Sequence, residues 1–138
     1  MNAIVSAIYT RLAADATLKT LIAAYGNAPA IFSGDLVPEN AVLPYVWISG
    51  AVAETPFDTK TTRGRDTMMD IVVFTEPASS QVVIETIAER VRTLLHRLTL
   101  TVTGNTNFII MAGGVIQLPQ DDGTMGRTIS LRLLTQET

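Results

Sequence analysis

Cysteine is absent, histidine occurs once, and charged residues make up only 17% of the 138 positions. Each scarcity removes a class of chemistry. Without cysteine there is no disulfide framework, no thiolate metal site and no cysteine nucleophile, and folding does not depend on oxidation. A zinc site at His96 needs further nitrogen or sulfur ligands, and the chain has neither a second histidine nor a thiol. The 10 basic and 13 acidic residues leave a net charge of −3. Phosphate neutralisation needs a basic surface, so this balance argues against a protein built to hold nucleic acid.

Long hydrophobic runs are also missing. The uncharged stretch between Glu39 and Glu54 is interrupted by Pro44 and Gly50, and the longer one between Arg97 and Asp121 by Gly104-Asn105-Thr106-Asn107 and Gly113-Gly114. Neither offers the roughly 18–20 consecutive apolar residues a spanning helix needs. The N-terminal segment does not read as a secretory signal, because Arg11 breaks it and no basic region precedes it. Yet 47% of the residues are hydrophobic, and the mean hydropathy is +0.30. A disordered tail has the opposite balance, and an average soluble domain carries more charge. The length fits one domain, residues 1–138, with a sizeable core. The apolar excess points to surface covered by other subunits.

Hydrophobic spacing divides the chain into elements. Ile4, Val5, Ile8 and Leu12 mark a first helix from Asn2 to about Asp15. Asp15 then caps a second, short helix with Leu18, Leu21, Ile22 and Tyr25 as its stripe, stopped at Gly26-Asn27 before Pro29. From Ala30 the period changes to two. Ala30-Ile31-Phe32 is a short strand, and Pro38 to Pro44 an irregular connection. Tyr45 to Val52 is apolar on both parities, which predicts a strand covered on both faces. A polar loop from Glu54 to Arg65 follows. Asp66 to Thr75 then alternates, with Met69, Ile71 and Val73 on one side and Met68, Val72 and Phe74 with Asp70 on the other.

Ser79 or Ser80 opens the clearest amphipathic helix, with Val83, Ile84, Ile87, Ala88, Val91, Leu94, Leu95 and Leu98 on its apolar side. Three strands complete the chain. Leu100–Thr103 and Phe108–Met111 flank a hairpin loop at Gly104-Asn105-Thr106-Asn107, and Gly113-Gly114 marks a bulge or bend. After the loop from Pro119 to Gly126, Ile129, Leu131 and Leu133 alternate with Thr128, Ser130 and Arg132. The order is ααβββαβββ. It predicts an α+β domain, a mostly antiparallel sheet packed on one long helix with short helices before it.

Catalytic apparatus is hard to find in this order. His96 lies near a helix C-terminus, where a partly exposed polar residue is ordinary. Asp121-Asp122-Gly123 is the single adjacent acidic pair, and its composition suits a turn. A calcium site needs several more oxygen ligands than Thr124, Met125 and Gly126 offer. Arg63-Gly64-Arg65 reads as solvated charge at a loop root between Asp58 and Asp66, without a Gly-rich phosphate loop. Tyr45 and Trp47 have no basic residues beside them on their strand, so they suit a core or interface better than a base-stacking platform.

Several short motifs occur together in a recognisable order. They are Leu12-Ala13-Ala14-Asp15-Ala16-Thr17-Leu18, Leu43-Pro44-Tyr45-Val46, Pro56-Phe57-Asp58-Thr59-Lys60 and Val73-Phe74-Thr75. Ile87-Ala88 and Leu94-Leu95-His96 follow on the long helix, and the strand Gly126 to Thr135 closes the set. This order resembles the tail-completion or tail-terminator proteins of long-tailed bacteriophages and related gene transfer agents. The likeness extends over nearly the whole chain, although Thr61-Thr62-Arg63-Gly64-Arg65-Asp66 does not match the family pattern.

The resemblance implies a structural virion protein without enzyme activity or cofactor. It implies a ring, usually of six copies, at the head-proximal end of the tail tube. Its partners are then further copies of itself, the major tail tube protein and the head connector, with DNA passing through the lumen unbound and no membrane involved. Candidate interface residues are Tyr45, Trp47, Phe57, Asp58, Lys60, Arg63, Arg65, Asp121, Asp122 and Arg127, with the outer row of the Asp66–Thr75 strand. The alternatives are a head-completion adaptor of the same neck region and a small-molecule-binding α+β domain. The second expects a convergent polar pocket, for which the sequence supplies no concentration of His, Asp, Glu or Cys.

Overall fold

The computed structural model describes residues 2–33, 42–56, 64–76, 81–97, 101–102, 105–118 and 125–137. Its elements are α1 (Asn2–Ala13), α2 (Ala16–Leu21), β1 (Ala24–Tyr25), β2 (Ala28–Pro29), β3 (Ile31–Ser33), β4 (Tyr45–Pro56) and β5 (Gly64–Thr75), followed by α3 (Gln81–Leu95), β6 (Thr101–Val102), β7 (Asn105–Leu118) and β8 (Met125–Glu137). Six strands form one sheet in the order β3-β4-β5-β8-β7-β6. Only β3 and β4 run parallel; the other neighbours are antiparallel. The fold is α+β, as the hydrophobic spacing predicts.

Alternation in β5 and β8 decides which face the core occupies. Met69, Ile71 and Val73 are fully buried, as are Ile129 and Leu133, with Leu131 almost so. They meet Val46 and Ile48 of β4, Ile110 of β7, and Ile84, Ile87, Val91 and Leu95 of α3 in one hydrophobic cluster. Ile8 and Leu12 of α1 and Leu18 of α2 close its end. Truncating one such leucine or isoleucine to alanine typically costs about 2–5 kcal/mol.

The helices lie on one side of the sheet, and several expected boundaries shift as a consequence. Apolar residues on both parities of β4 suggested burial on both faces. Instead Val46 and Ile48 are buried, while Tyr45 and Trp47 are half-buried on the uncovered face. Strands β4 and β5 extend into the segment read as loop, pairing Glu54 with Thr67, Thr55 with Asp66 and Pro56 with Arg65. Gly26-Asn27 does not stop a helix: α2 ends at Leu21, Ile22 is extended, and Gly26, with φ of 64°, turns the β1–β2 hairpin. Tyr25 leaves the helical stripe to pack on Phe32, with ring centroids 5.3 Å apart. The β6–β7 turn is also tighter than expected. Val102 pairs with Asn105, so Asn105 to Asn107 belong to β7 instead of the loop. Gly113-Gly114 does mark a bulge, with a register shift between Ala112 and Val115.

Two sets of hydrogen bonds anchor the helical layer. Asp15 caps α2, accepting from the Leu18 N–H at 2.8 Å, and also accepts from Arg90 Nε and Nη2 at 2.9 and 2.6 Å. One carboxylate thus ties α2 to α3. The second anchor closes the sheet edge. Helix α3 ends at Leu95, and Arg97 turns back with φ of 61°, an unusual conformation outside glycine. Its N–H donates to the Ile110 carbonyl at 2.7 Å. His96 Nδ1 accepts from the Ala112 N–H at 3.1 Å, and Arg92 Nε donates to the Gly113 carbonyl at 2.9 Å. Because β6 pairs with only Asn105 and Thr106 of β7, these three bonds occupy an edge otherwise open to strand addition.

The Arg90 guanidinium holds the Asp15 carboxyl below its ordinary value of 3.8, against a smaller opposing effect of burial and with help from the Leu18 N–H. The unfolded chain therefore takes up this proton more readily than the folded one. The resulting stabilisation is complete above the ordinary value and is lost as pH falls through the folded one. Asp15→Asn keeps a capping acceptor and loses the charge, so its stability deficit in chemical unfolding should shrink over that acidic window. Asp15→Ala also removes the cap and should lose about 1 kcal/mol more at neutral pH. At the sheet edge, His96→Ala should cost about 1 kcal/mol and selectively speed hydrogen exchange of the Ala112 amide.

Candidate assembly surfaces

The sheet face away from the helices is organised in rows that cross the strands. At one end four aromatic rings step across β1, β3, β4 and β5. Tyr25, Phe32, Tyr45 and Phe74 are spaced 5.3, 5.6 and 5.3 Å centroid to centroid, the first two contacts edge-on. Such contacts contribute about 0.5–1.5 kcal/mol each beyond burial, so the row rigidifies this edge. The next row runs Ile116, Thr128, Val72 and Trp47 by register.

The middle of the face is polar. Ser49 sits at the β4 register shift, where its hydroxyl donates to the Asp70 carbonyl at 2.9 Å and accepts from the Asp70 N–H at 3.2 Å. The side chain thereby substitutes for the interrupted ladder. Ser130 Oγ donates to Asp70 Oδ1 at 2.9 Å. Beyond it, Met111, Arg132 and Met68 form one row. Arg132 donates from Nε and Nη2 to the Asp66 carboxylate, the shortest contact being 2.7 Å. The guanidinium keeps the Asp66 carboxyl below its ordinary value.

Large exposed hydrophobic residues show where this surface is incomplete. On the open sheet face, Met68 is 48%, Met111 44% and Ile116 59% exposed. On the outer side of α3, Val82 is 73% and Val83 43% exposed. Val83 was expected on the buried stripe. Among the described residues the other large one is Val42, just before β4. A groove of about 730 Å³ runs between α2 and the outer side of α3, with Leu21, Val82, Thr86 and Glu89 in its lining.

Of the candidate interface residues, Tyr45 and Trp47 take neighbouring rows on the open face. Arg127 lies on the opposite, covered face. It is 5% exposed, donates from Nε to Glu85 Oε1 at 2.6 Å, and donates from Nη1 to the Gly126 carbonyl at 2.9 Å. It thereby ties β8 to α3. Arg65 belongs to β5, opposite Pro56 and Thr135. Phe57, Asp58, Lys60, Arg63, Asp121 and Asp122 lie outside the described residues, as do Ser79, Ser80 and Leu98. In the outer row of β5, Met68 is exposed, whereas Val72 is 4% exposed between its cross-strand neighbours.

Residues not singled out from sequence are Met111, Ile116 and the outer side of α3. Val82 had a signal, an apolar residue off the buried stripe of an amphipathic helix. Met111 and Ile116 had none, because the intervening bulge resets the alternation. Among the described residues no three His, Cys, Asp or Glu side chains gather as metal ligands. Nor is any described helix long and apolar enough to cross a membrane.

Comparison with known proteins fits this picture of a scaffold with bare surfaces. No curated protein sequence matches the chain. Its fold is shared by a solved chain described as the virion of a native gene transfer agent particle. The TM-score is 0.81 at 20% identity, over 98% of this chain and 96% of that one. A second solved chain gives a TM-score of 0.50 at 12% identity over 99% of this chain and 94% of its own. The model of the family described as tail completion protein gp17 matches residues 6–117. The chain belongs to that family of structural virion tail proteins.

Proposed function

We propose that this chain caps the head-proximal end of a tail tube as a ring, ends tube polymerisation and provides the surface that joins tail to head. The observation that supports this best is the one-sided sheet. Helices cover one face, while the other keeps Met68, Met111 and Ile116 exposed beside a rigid aromatic edge. Identical subunits that pack head-to-tail need two unlike patches on each copy, and a rotation that closes gives a ring instead of a filament. The bare sheet face and the α2–α3 groove are two unlike patches.

The partners of such a ring are further copies of the chain, six in all, the major tail tube protein on one rim and the head connector on the other. The low, acidic charge suits a lumen through which DNA passes, since a basic wall retains phosphates. Its place is the virion tail, reached by assembly in the host cytoplasm. The work is done by shape and docking, with no cofactor and no reaction.

Electron microscopy of purified protein mixed with tail tubes provides the test. Rings should occupy one end of each tube and block further elongation. Particles made without the chain should carry tails of uncontrolled length that do not join heads. Normal-length tails in that mutant would instead assign the chain to the head side of the neck, and absent or random binding along the tubes would refute end-capping.

A further inference from the structure

We infer that the α2–α3 groove of one copy receives the methionine end of the open sheet face of the next copy. This rests on the ring reading above and names the contact that builds it. Of the large exposed hydrophobic side chains among the described residues, Met68 and Met111 fall on the sheet patch and Val82 lines the groove, with Ile116 farther along the same sheet face and Val83 beside Val82 on α3. The patches lie on opposite layers of the fold. A two-fold contact through either patch covers it and leaves the other bare, whereas a head-to-tail contact covers both in every copy.

Shape and charge favour the same pairing. The helical patch is concave, a groove with Leu21 and Val82 as its apolar lining. The sheet patch presents Met68 and Met111, unbranched side chains that adapt to irregular hollows. Most charges near either patch are already committed: Arg90 to Asp15, Glu85 to Arg127, Asp66 to Arg132, and Asp70 to Ser130. Among the described residues of the patches, Glu89 stays unpaired and Arg132 keeps one open donor nitrogen. Arg132, its side chain 60% exposed between the two methionines, uses Nε and Nη2 on Asp66 and leaves Nη1 without a partner among the described residues. Glu89 is exposed in the groove, also without a partner among them. A sheet-to-sheet contact brings Arg132 toward its own copy, and a groove-to-groove contact does the same for Glu89. Only the crossed pairing sets the Arg132 guanidinium, between two methionines, against the Glu89 carboxylate of the groove.

The absence of cysteine makes the contact directly readable. A chain carrying both Val82→Cys and Met68→Cys, oxidised in the presence of tail tubes, should give a ladder of cross-linked copies on a non-reducing denaturing gel. Each single substitution should give monomer, as should Met68→Cys combined with Thr10→Cys on the exposed side of α1. Arg132→Glu in the double-cysteine chain should reduce the ladder about tenfold, and adding Glu89→Arg should restore it. Dimers from either single-cysteine chain would overturn the inference in favour of a two-fold contact. Microscopy of the same samples separates the two claims. Rings on tube ends without cross-links would overturn this contact and leave the ring standing, whereas bare tube ends without cross-links would overturn both.

Discussion

The last strand holds the sheet together. β8 lies between β5 and β7, paired with β5 from Gly64 to Thr75 and with β7 from Asn105 to Leu118. Remove it, and the two halves of the sheet have no backbone bonds to each other. Its inward residues Ile129, Leu131 and Leu133 form the floor on which α3 rests, and Arg127 anchors it to Glu85 of that helix. Its outward residues Thr128, Ser130 and Arg132 run down the centre of the open face. One strand therefore supports the core on one side and the assembly surface on the other. A shift of its register by one residue would exchange the two sets and lose both.

Covering a six-stranded sheet from one side only has consequences that spread outward from β8. The face beneath α3 takes the aliphatic residues, so the aromatic residues of β3, β4 and β5 gather on the open face. They stiffen an edge whose outermost strand, β3, is only three residues long. At the opposite edge the tail of α3 turns back through Arg97 and occupies the outer side of β7. Both margins are thus blunted against uncontrolled strand addition, while the flat face between them stays open. That combination directs association through side chains on the face, where register and charge select the partner. It disfavours backbone pairing at the edge, which selects very little.

The sequence made some of this legible, and the exceptions have physical causes. Alternation in β5 and β8 and the helical stripe of α3 each reflect burial on a single face, so they read directly. Asp15 was readable as a cap, because its acceptor lies at a fixed offset from Leu18. Its second role, binding Arg90 75 positions later, was not, since local spacing carries no information about which helices meet. Tyr45 and Trp47 were readable as core or interface aromatics, and the double apolar parity of β4 concealed which face was covered. Gly26-Asn27 misled for a different reason: a glycine with positive φ ends a helix or turns a hairpin equally well. Arg127 was expected at an interface, yet it shares the parity of Ile129 and Leu131 and is buried with them. Only the structure supplies the reason a cation is tolerated there, the Glu85 carboxylate 2.6 Å away.

The scarcity of charge then acquires a structural meaning. Asp15 with Arg90, Glu85 with Arg127 and Asp66 with Arg132 are pairs between distant segments, and each joins two elements of the fold. Charge used in this way fixes internal geometry and leaves little net field on the surface. A nearly neutral, apolar surface associates readily, and its specificity must come from shape together with a few uncommitted charges. On a copy with many free charges, the addition of one more ion pair would discriminate poorly between correct and incorrect contacts. In the proposed contact, one arginine between two methionines and one glutamate in the α2–α3 groove would make one orientation of approach better than its alternatives. In the proposed ring, the low charge count is therefore part of the means by which identical copies would find one arrangement.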